Sequence, residues 1–173
     1  MKAILPSIAA AFALVLYAPA ADVTAKLTEV HLCCKGCVNG VDKAVGEVEG
    51  AKAAIDQDAG TVTLSAADAA TLQKAADALV KAGYFGKTTD NTVSLDASTG
   101  AKGEKVQSLR VEGVHLCCGK CVKAVDRAVK SVAGAKEHTA TKGAKVFDVT
   151  GDFNDKELFA ALQKEGLAGK VAK

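Results

Sequence analysis

The chain has 173 residues, room for one ordinary domain or two small ones. Lys and Arg total 22 against 20 acidic residues, a formal balance of +2, and no block of five like charges occurs. That argues against a nucleic-acid binder with a clustered basic face and against a polybasic membrane tether. About half the chain, 49%, is apolar, but aromatics make up only 4% and Trp is absent, so any core must rest on Ala, Val and Leu.

The first twenty residues read as a segment apart. "MK" gives a short positive start, "AILPSIAAAFALVLY" is uncharged, and "APA" at Ala18 to Ala20 is a small-x-small cleavage signal. The stretch approaches a membrane-spanning length, but Pro6, Ser7 and Pro19 weaken that alternative. The expectation is a signal peptide over 1–20, cleaved to give a periplasmic or secreted protein. In an exported chain cysteines normally staple loops across a scaffold. Here all six fall into two clusters, "VHLCCKGC" ending at Cys37 and "VHLCCGKC" ending at Cys121.

In chain order, Lys26 to Leu32 suits a strand and leads into the first cysteine loop. From Cys37 on, Val38, Val41, Val45 and Val48 recur at helical spacing, and Gly50 is the expected stop. Strands are expected at 51–56 and 61–65 around the turn "QDAG". Ser65 with Asp68 reads as a capping pair for a second helix carrying Leu72, Ala75, Ala76 and Leu79 and ending at Gly83. "TVSL", Thr92 to Leu95, is expected to close the unit as a strand. "ASTGAKGEK" then reads as a flexible linker.

The second copy aligns on His31 with His115: "VHLCCKGCVNGVDKAVGEVEGAK" faces "VHLCCGKCVKAVDRAVKSVAGAK" without a gap. Strands are expected at 107–116, 135–140, 145–149 and 170–172. One helix carries Val122, Val125, Val129 and Val132, and another is capped by Asn154 with Glu157. The order βαββαβ, twice, predicts an α+β chain of two tandem ferredoxin-like domains, 24–96 and 105–173, joined by a linker at 97–104. Two copies make a domain pair rather than a solenoid.

A two-residue gap lets Cys34 and Cys37, or Cys118 and Cys121, converge on one ion when the second cysteine opens a helix. The helix N-terminus and the adjacent Lys35 and Lys120 favour thiolate. Thiolates select soft ions over Mg(II) or Ca(II). Cys33 and Cys117 add a third sulfur to each cluster, and Leu32 and Leu116 should point inward and pin the loops. Four ligands are usual for structural zinc, so one cluster closes a zinc site only if His31 or His115 joins. Strand alternation puts those histidines on the face opposite their neighbours, so both are expected at an exposed strand end. His138 is expected to be ordinary surface. Two other states compete: a Cys34–Cys37 disulfide, which would close only a small loop, and redox catalysis by the CxxC pairs. No Ser–His–Asp grouping or phosphate loop is visible, and Asp42, Glu47, Asp68 and Asp77 fall at solvated helical spacings.

The cysteine loops resemble the metal loop of heavy-metal-associated domains, Gly-Met-Thr-Cys-x-x-Cys. The signature's paired cysteines fall on Cys34 and Cys37, and on Cys118 and Cys121. Cys33, Leu32 and His31 stand at its Thr, Met and Gly, as do Cys117, Leu116 and His115. "AGY", Ala82 to Tyr84, is similar to the family's aromatic loop beside the metal, and the second copy has Leu167 where the first has Tyr84. With an export signal, the likeness extends to periplasmic mercury-binding proteins and exported copper-binding modules. It implies an exported protein, not an enzyme, that sequesters soft ions or hands them to a membrane metal transporter or another metal protein. It also implies Cu(I) as the leading ion, with Hg(II) or Zn(II) as alternatives. The ligands would be Cys33, Cys34 and Cys37 in one copy and Cys117, Cys118 and Cys121 in the other, each copy binding independently. No nucleic-acid partner is expected, and thiol–disulfide redox work through the CxxC pairs is the alternative function.

Overall fold

The computed structural model describes residues 21–89, 91–96 and 98–173. The expected signal peptide at 1–20 and its cleavage site lie outside the described residues. The first repeat runs β1 (Val23–Thr28), α1 (Lys35–Gly46), β2 (Lys52–Asp56), β3 (Thr61–Ala66), α2 (Ala69–Lys81) and β4 (Lys87–Thr88). The second runs β5 (Lys105–Glu112), α3 (Gly119–Ser131), β6 (Ala135–His138), β7 (Val146–Asn154), α4 (Asp155–Lys164) and β8 (Lys170–Val171). Each repeat forms a four-stranded antiparallel sheet, ordered β2-β3-β1-β4 and β6-β7-β5-β8, as the ferredoxin-like expectation requires. Among the described residues no helix is long and apolar enough to cross a membrane.

Period-two burial decides which face of each sheet meets its helices. Val62, Leu64 and Ala66 of β3 are buried while Thr61, Thr63 and Ser65 alternate with them. Cys37, Val41, Ala44 and Val45 of α1 cover that face together with Leu72, Ala75, Ala76 and Leu79 of α2. In the second repeat Phe147, Val149 and Phe153 of β7 meet Cys121, Ala124, Val125, Ala128 and Val129 of α3. The aromatics missing from the first sheet are thus spent on the second.

In the second repeat β5 ends at Glu112, short of the expected 116, where Gly113 turns the chain with a φ of 78°, β6 stops at His138, and β7 runs on to Asn154. Four departures in the first repeat also have local reasons. β1 ends at Thr28 because Glu29 turns the chain with a φ of 60°, so the strand never reaches Leu32. α1 ends at Gly46, before Gly50, which instead bends the following turn with a φ of 80°. Ser65 is paired inside β3, with Thr24 and Lys52, and the cap of α2 is Asp68 alone, which accepts from the Thr71 N–H. The segment "TVSL" forms no strand. The Gln73 side chain accepts from the Ser94 N–H and donates to the Ser94 carbonyl, satisfying the backbone that a ladder would have used. Lys87–Thr88 takes the edge position beside β1 instead.

The linker is not loose at its far end. Asp155, only 5% exposed at the start of α4, accepts from the backbone N–H groups of Lys102, Gly103 and Glu104 at 2.7–3.0 Å. Asn154, the expected cap, accepts from Lys156 and Glu157 and donates to the Gly103 carbonyl. Burial alone would raise the Asp155 pKa, but the backbone donors outweigh it and hold the carboxyl below the usual range. Its stabilisation is therefore present above the unfolded carboxylate pKa of about 3.9 and is lost as pH falls through the lower folded value. Asp155→Ala should cost roughly 1–3 kcal/mol by urea unfolding at pH 7, because it removes the acceptor of three partly buried backbone donors, and the cost should shrink in acid. Equal cost at pH 7 and well below pH 3 would show that the carboxylate does not hold the linker.

Candidate metal centre

Each cysteine loop delivers its sulfurs the same way. Cys34 is the N-cap of α1 in extended conformation, and its carbonyl accepts from the Cys37 and Val38 N–H groups. Cys118 does the same for α3 through Cys121 and Val122. Leu32 and Leu116 are buried and anchor the loops from below, as expected. Neither cap is a side-chain oxygen, so the free N–H groups of both helix ends remain aimed at the sulfurs.

The two loops meet. The repeats pack against each other through the equivalent loops at 83–85 and 166–168. The Gly166 carbonyl accepts from the N–H groups of His31 and Phe85, and the Gly83 carbonyl accepts from Ala168. Tyr84 and Leu167, at equivalent positions of the two repeats, pair as an antiparallel bridge. All six cysteines therefore lie in one cluster instead of two separate sites. Across the repeats Cys33 stands 3.5 Å from Cys118 and 3.6 Å from Cys121. Cys34 stands 3.6 Å from Cys117 and 3.7 Å from Cys118. Cys37 stands 3.5 Å from Cys117 and 3.9 Å from Cys121. These sulfur–sulfur distances match those within a repeat, 3.6–4.0 Å. Lys120 reaches over to donate to the Cys33 carbonyl.

All six are free thiols, so the Cys34–Cys37 disulfide is not formed. Cys37 and Cys121 are buried, and the other four are half-buried. Cys34 is brought down to about 7, first by the Cys37 backbone N–H and then by the sulfurs of Cys117 and Cys118 acting against burial. Cys37 and Cys121 share one proton. Their 3.9 Å contact lowers Cys121 and raises Cys37, and burial adds to the latter. Burial pushes Cys117 up to about 12 and raises Cys33 in the same direction. Soft ions bind thiolates, so an ion entering the cluster displaces whatever thiol protons its sulfurs carry.

The histidines overturn the expectation of an exposed strand end. β1 has already ended at Thr28, so strand alternation does not extend to His31. His31 and His115 are half-buried, and the Nε2 atom of each is buried without a hydrogen-bond partner. A His31 ring nitrogen lies within 4.8 Å of the Cys33 and Cys121 sulfurs and favours the Cys121 thiolate, although Nε2 makes no hydrogen bond of ordinary geometry. His115 stacks on the Tyr84 ring at 4.5 Å, and burial lowers its pKa, which keeps it neutral. Tyr84 is fully buried and donates to the Cys37 carbonyl at 2.9 Å, tying the first repeat's aromatic loop to its metal loop and to the other repeat at once. Its phenol is raised first by burial and then by the surrounding cysteine cluster. His138 is not plain surface either: its ring packs edge-on to Phe147, Nδ1 accepts from the Ala140 N–H, and Nε2 faces Asp126 at 3.8 Å.

Six convergent sulfurs, joined by no carboxylate among the described residues, are a donor set for soft ions, and the cluster can hold them. No family model matches the chain, and no curated protein matches it. Among solved structures it is similar to the N-terminal soluble domains of Bacillus subtilis CopA. That pair is 12% identical, covers 88% of this chain and 95% of that one, and has a TM-score of 0.32. It is also similar to the first two RRM domains of yeast poly(U)-binding protein Pub1. Here the identity is 9% over 87% of this chain and 98% of that one, with a TM-score of 0.24. Likenesses this loose carry no argument about function, which rests on the cysteine centre itself.

Proposed function

We propose that the protein binds soft metal ions, Cu(I) foremost, and sequesters them or passes them to a membrane metal transporter or another metal protein outside the cytosol. The observation that supports this most strongly is the convergence of six free thiols from two loops into one cluster, with contacts between the loops of 3.5–3.9 Å. The leader at 1–20 supports export, and the tandem ferredoxin-like fold agrees with the likeness to heavy-metal-associated domains. The ion is cargo, held by Cys33, Cys34, Cys37, Cys117, Cys118 and Cys121. Four of these are half-buried, so a partner's thiolates can approach and replace ligands one at a time without releasing free ion. Hg(II) and Zn(II) are the alternative cargoes.

Thiol–disulfide catalysis is the second reading, because half-buried Cys34, lowered to about 7 and 4.0 Å from buried Cys37, has the form of an attacking sulfur beside a resolving partner. The test is a pair of measurements on the reduced full chain. Cu(I) should bind in the presence of excess Mg(II) and Ca(II), and replacing all six cysteines with Ser should abolish it. A disulfide reductase assay on the metal-free chain should give no turnover above small thiols. Efficient turnover, or Cu(I) affinity unchanged without cysteines, would overturn the reading.

A further inference from the structure

We infer that the six sulfurs form a single cage for about four Cu(I) ions, each held by three sulfurs and each sulfur shared by two ions. The inference rests on the soft-metal reading above and specifies its site. Around each sulfur every other is a near neighbour except one. Cys33 stands across from Cys117, Cys34 across from Cys121, and Cys37 across from Cys118. That is the connectivity of an octahedron, which contains triangles but no tetrahedron. The ligand groups that lie mutually within 4.8 Å are triads, three of them of sulfurs alone and one joining His31 to Cys33 and Cys121.

Coordination geometry then selects the ion. Zinc asks for four ligands at tetrahedral corners, which these sulfurs do not supply. A metal–sulfur bond of about 2.3 Å places the sulfurs of a planar three-coordinate ion about 4.0 Å apart, matching the upper end of the observed distances. Three of the octahedron's faces are Cys33–Cys34–Cys118, Cys34–Cys37–Cys117 and Cys117–Cys118–Cys121. The face Cys33–Cys37–Cys121, with edges of 3.6, 3.6 and 3.9 Å, completes a set that meets only at corners. Each cysteine belongs to two of these faces, and each face takes sulfurs from both repeats or shares its corners with faces that do. Filling the set exchanges up to six thiol protons for four Cu(I). No electron moves, and the filled cage carries two negative charges.

The third cysteine of each repeat acquires a definite task. Cys33 and Cys117 sit at opposite corners, and each of the four faces contains one of them. The test is anaerobic titration of the reduced full chain with Cu(I) buffered by a chelator, reading copper per chain at saturation and the copper–sulfur coordination number by X-ray absorption. About four ions per chain, bound in one cooperative phase with three sulfurs each, is the expected result. Saturation at one or two ions with two sulfurs each would overturn the cage and leave the soft-metal reading standing, whereas no binding would overturn both. The Cys33→Ser/Cys117→Ser variant keeps both CxxC pairs but takes one sulfur from every face. Its loading should fall at least twofold, to two ions or fewer, with the fold checked by circular dichroism. Retention of about four ions in that variant would also overturn the cage.

Discussion

Saturating the reduced protein with Cu(I) raises its melting temperature by roughly 8–16 °C, in a single transition. A ligand that binds only the folded state adds RT ln(1 + [L]/Kd), about 4 kcal/mol at a thousandfold excess over Kd. Two separate small domains would each shift by roughly 4–8 °C per kcal/mol, but a unit of some 150 residues shifts by only 2–4 °C per kcal/mol. The repeats share one core across the Tyr84–Leu167 pairing and should melt as that larger unit. Unfolded cysteines also bind soft metal, which places the shift towards the lower end of that range. The shift should vanish when all six cysteines are replaced by Ser. Differential scanning calorimetry that resolves two transitions, only one of them moved by metal, would show that each repeat carries its own site.

Gly83→Ala and Gly166→Ala should each separate the repeats and take the metal centre with them. Both glycines adopt positive φ, 94° and 75°, which alone costs an alanine about 1 kcal/mol. The larger effect is steric. A Cβ on Gly166 would stand 2.5 Å from the Glu29 carbonyl oxygen and 3.0 Å from the Val30 carbonyl carbon. A Cβ on Gly83 would stand 2.6 Å from the Gly113 carbonyl oxygen and 2.9 Å from the Val114 carbonyl carbon. The atoms in the way are backbone of the opposite repeat, which cannot swing aside as a side chain would, so the contact must open. A loss of roughly 3 kcal/mol or more is expected, together with a larger radius of gyration by small-angle scattering and weaker Cu(I) binding. Unchanged compactness and affinity in both variants would mean that this contact does not hold the cysteine loops together.

The repeat, the helical faces and the cysteine loops were legible because each is written in local spacing. Val41 and Val45 with Cys37, or Leu72 and Leu79 with Ala75 and Ala76, fix an inward face within a few turns. What spacing could not convey is how one repeat meets the other. Gly83 reads as a helix stop, and it is one, since α2 ends at Lys81. Its other task, admitting the backbone of the second repeat, has no sequence signature. The histidines were misplaced because alternation was carried past Thr28, although Glu29 had already broken the strand. "TVSL" alternates well enough for a strand, but the competitor for its backbone was a single glutamine on α2, Gln73, twenty-one residues away from Ser94. The linker looked free because the carboxylate that gathers its N–H groups, Asp155, lies some fifty residues further on.

One experiment tests directly whether the two loops share a centre, and it needs no metal. In a variant keeping only Cys34 and Cys118, with the other four cysteines replaced by Ser, the two remaining sulfurs come from different repeats and stand 3.7 Å apart. Mild oxidation of the dilute protein, followed by proteolysis and mass spectrometry, should find one disulfide joining the repeats within a single chain. Free thiols after oxidation, or disulfides formed only between separate chains, would contradict the shared six-sulfur centre.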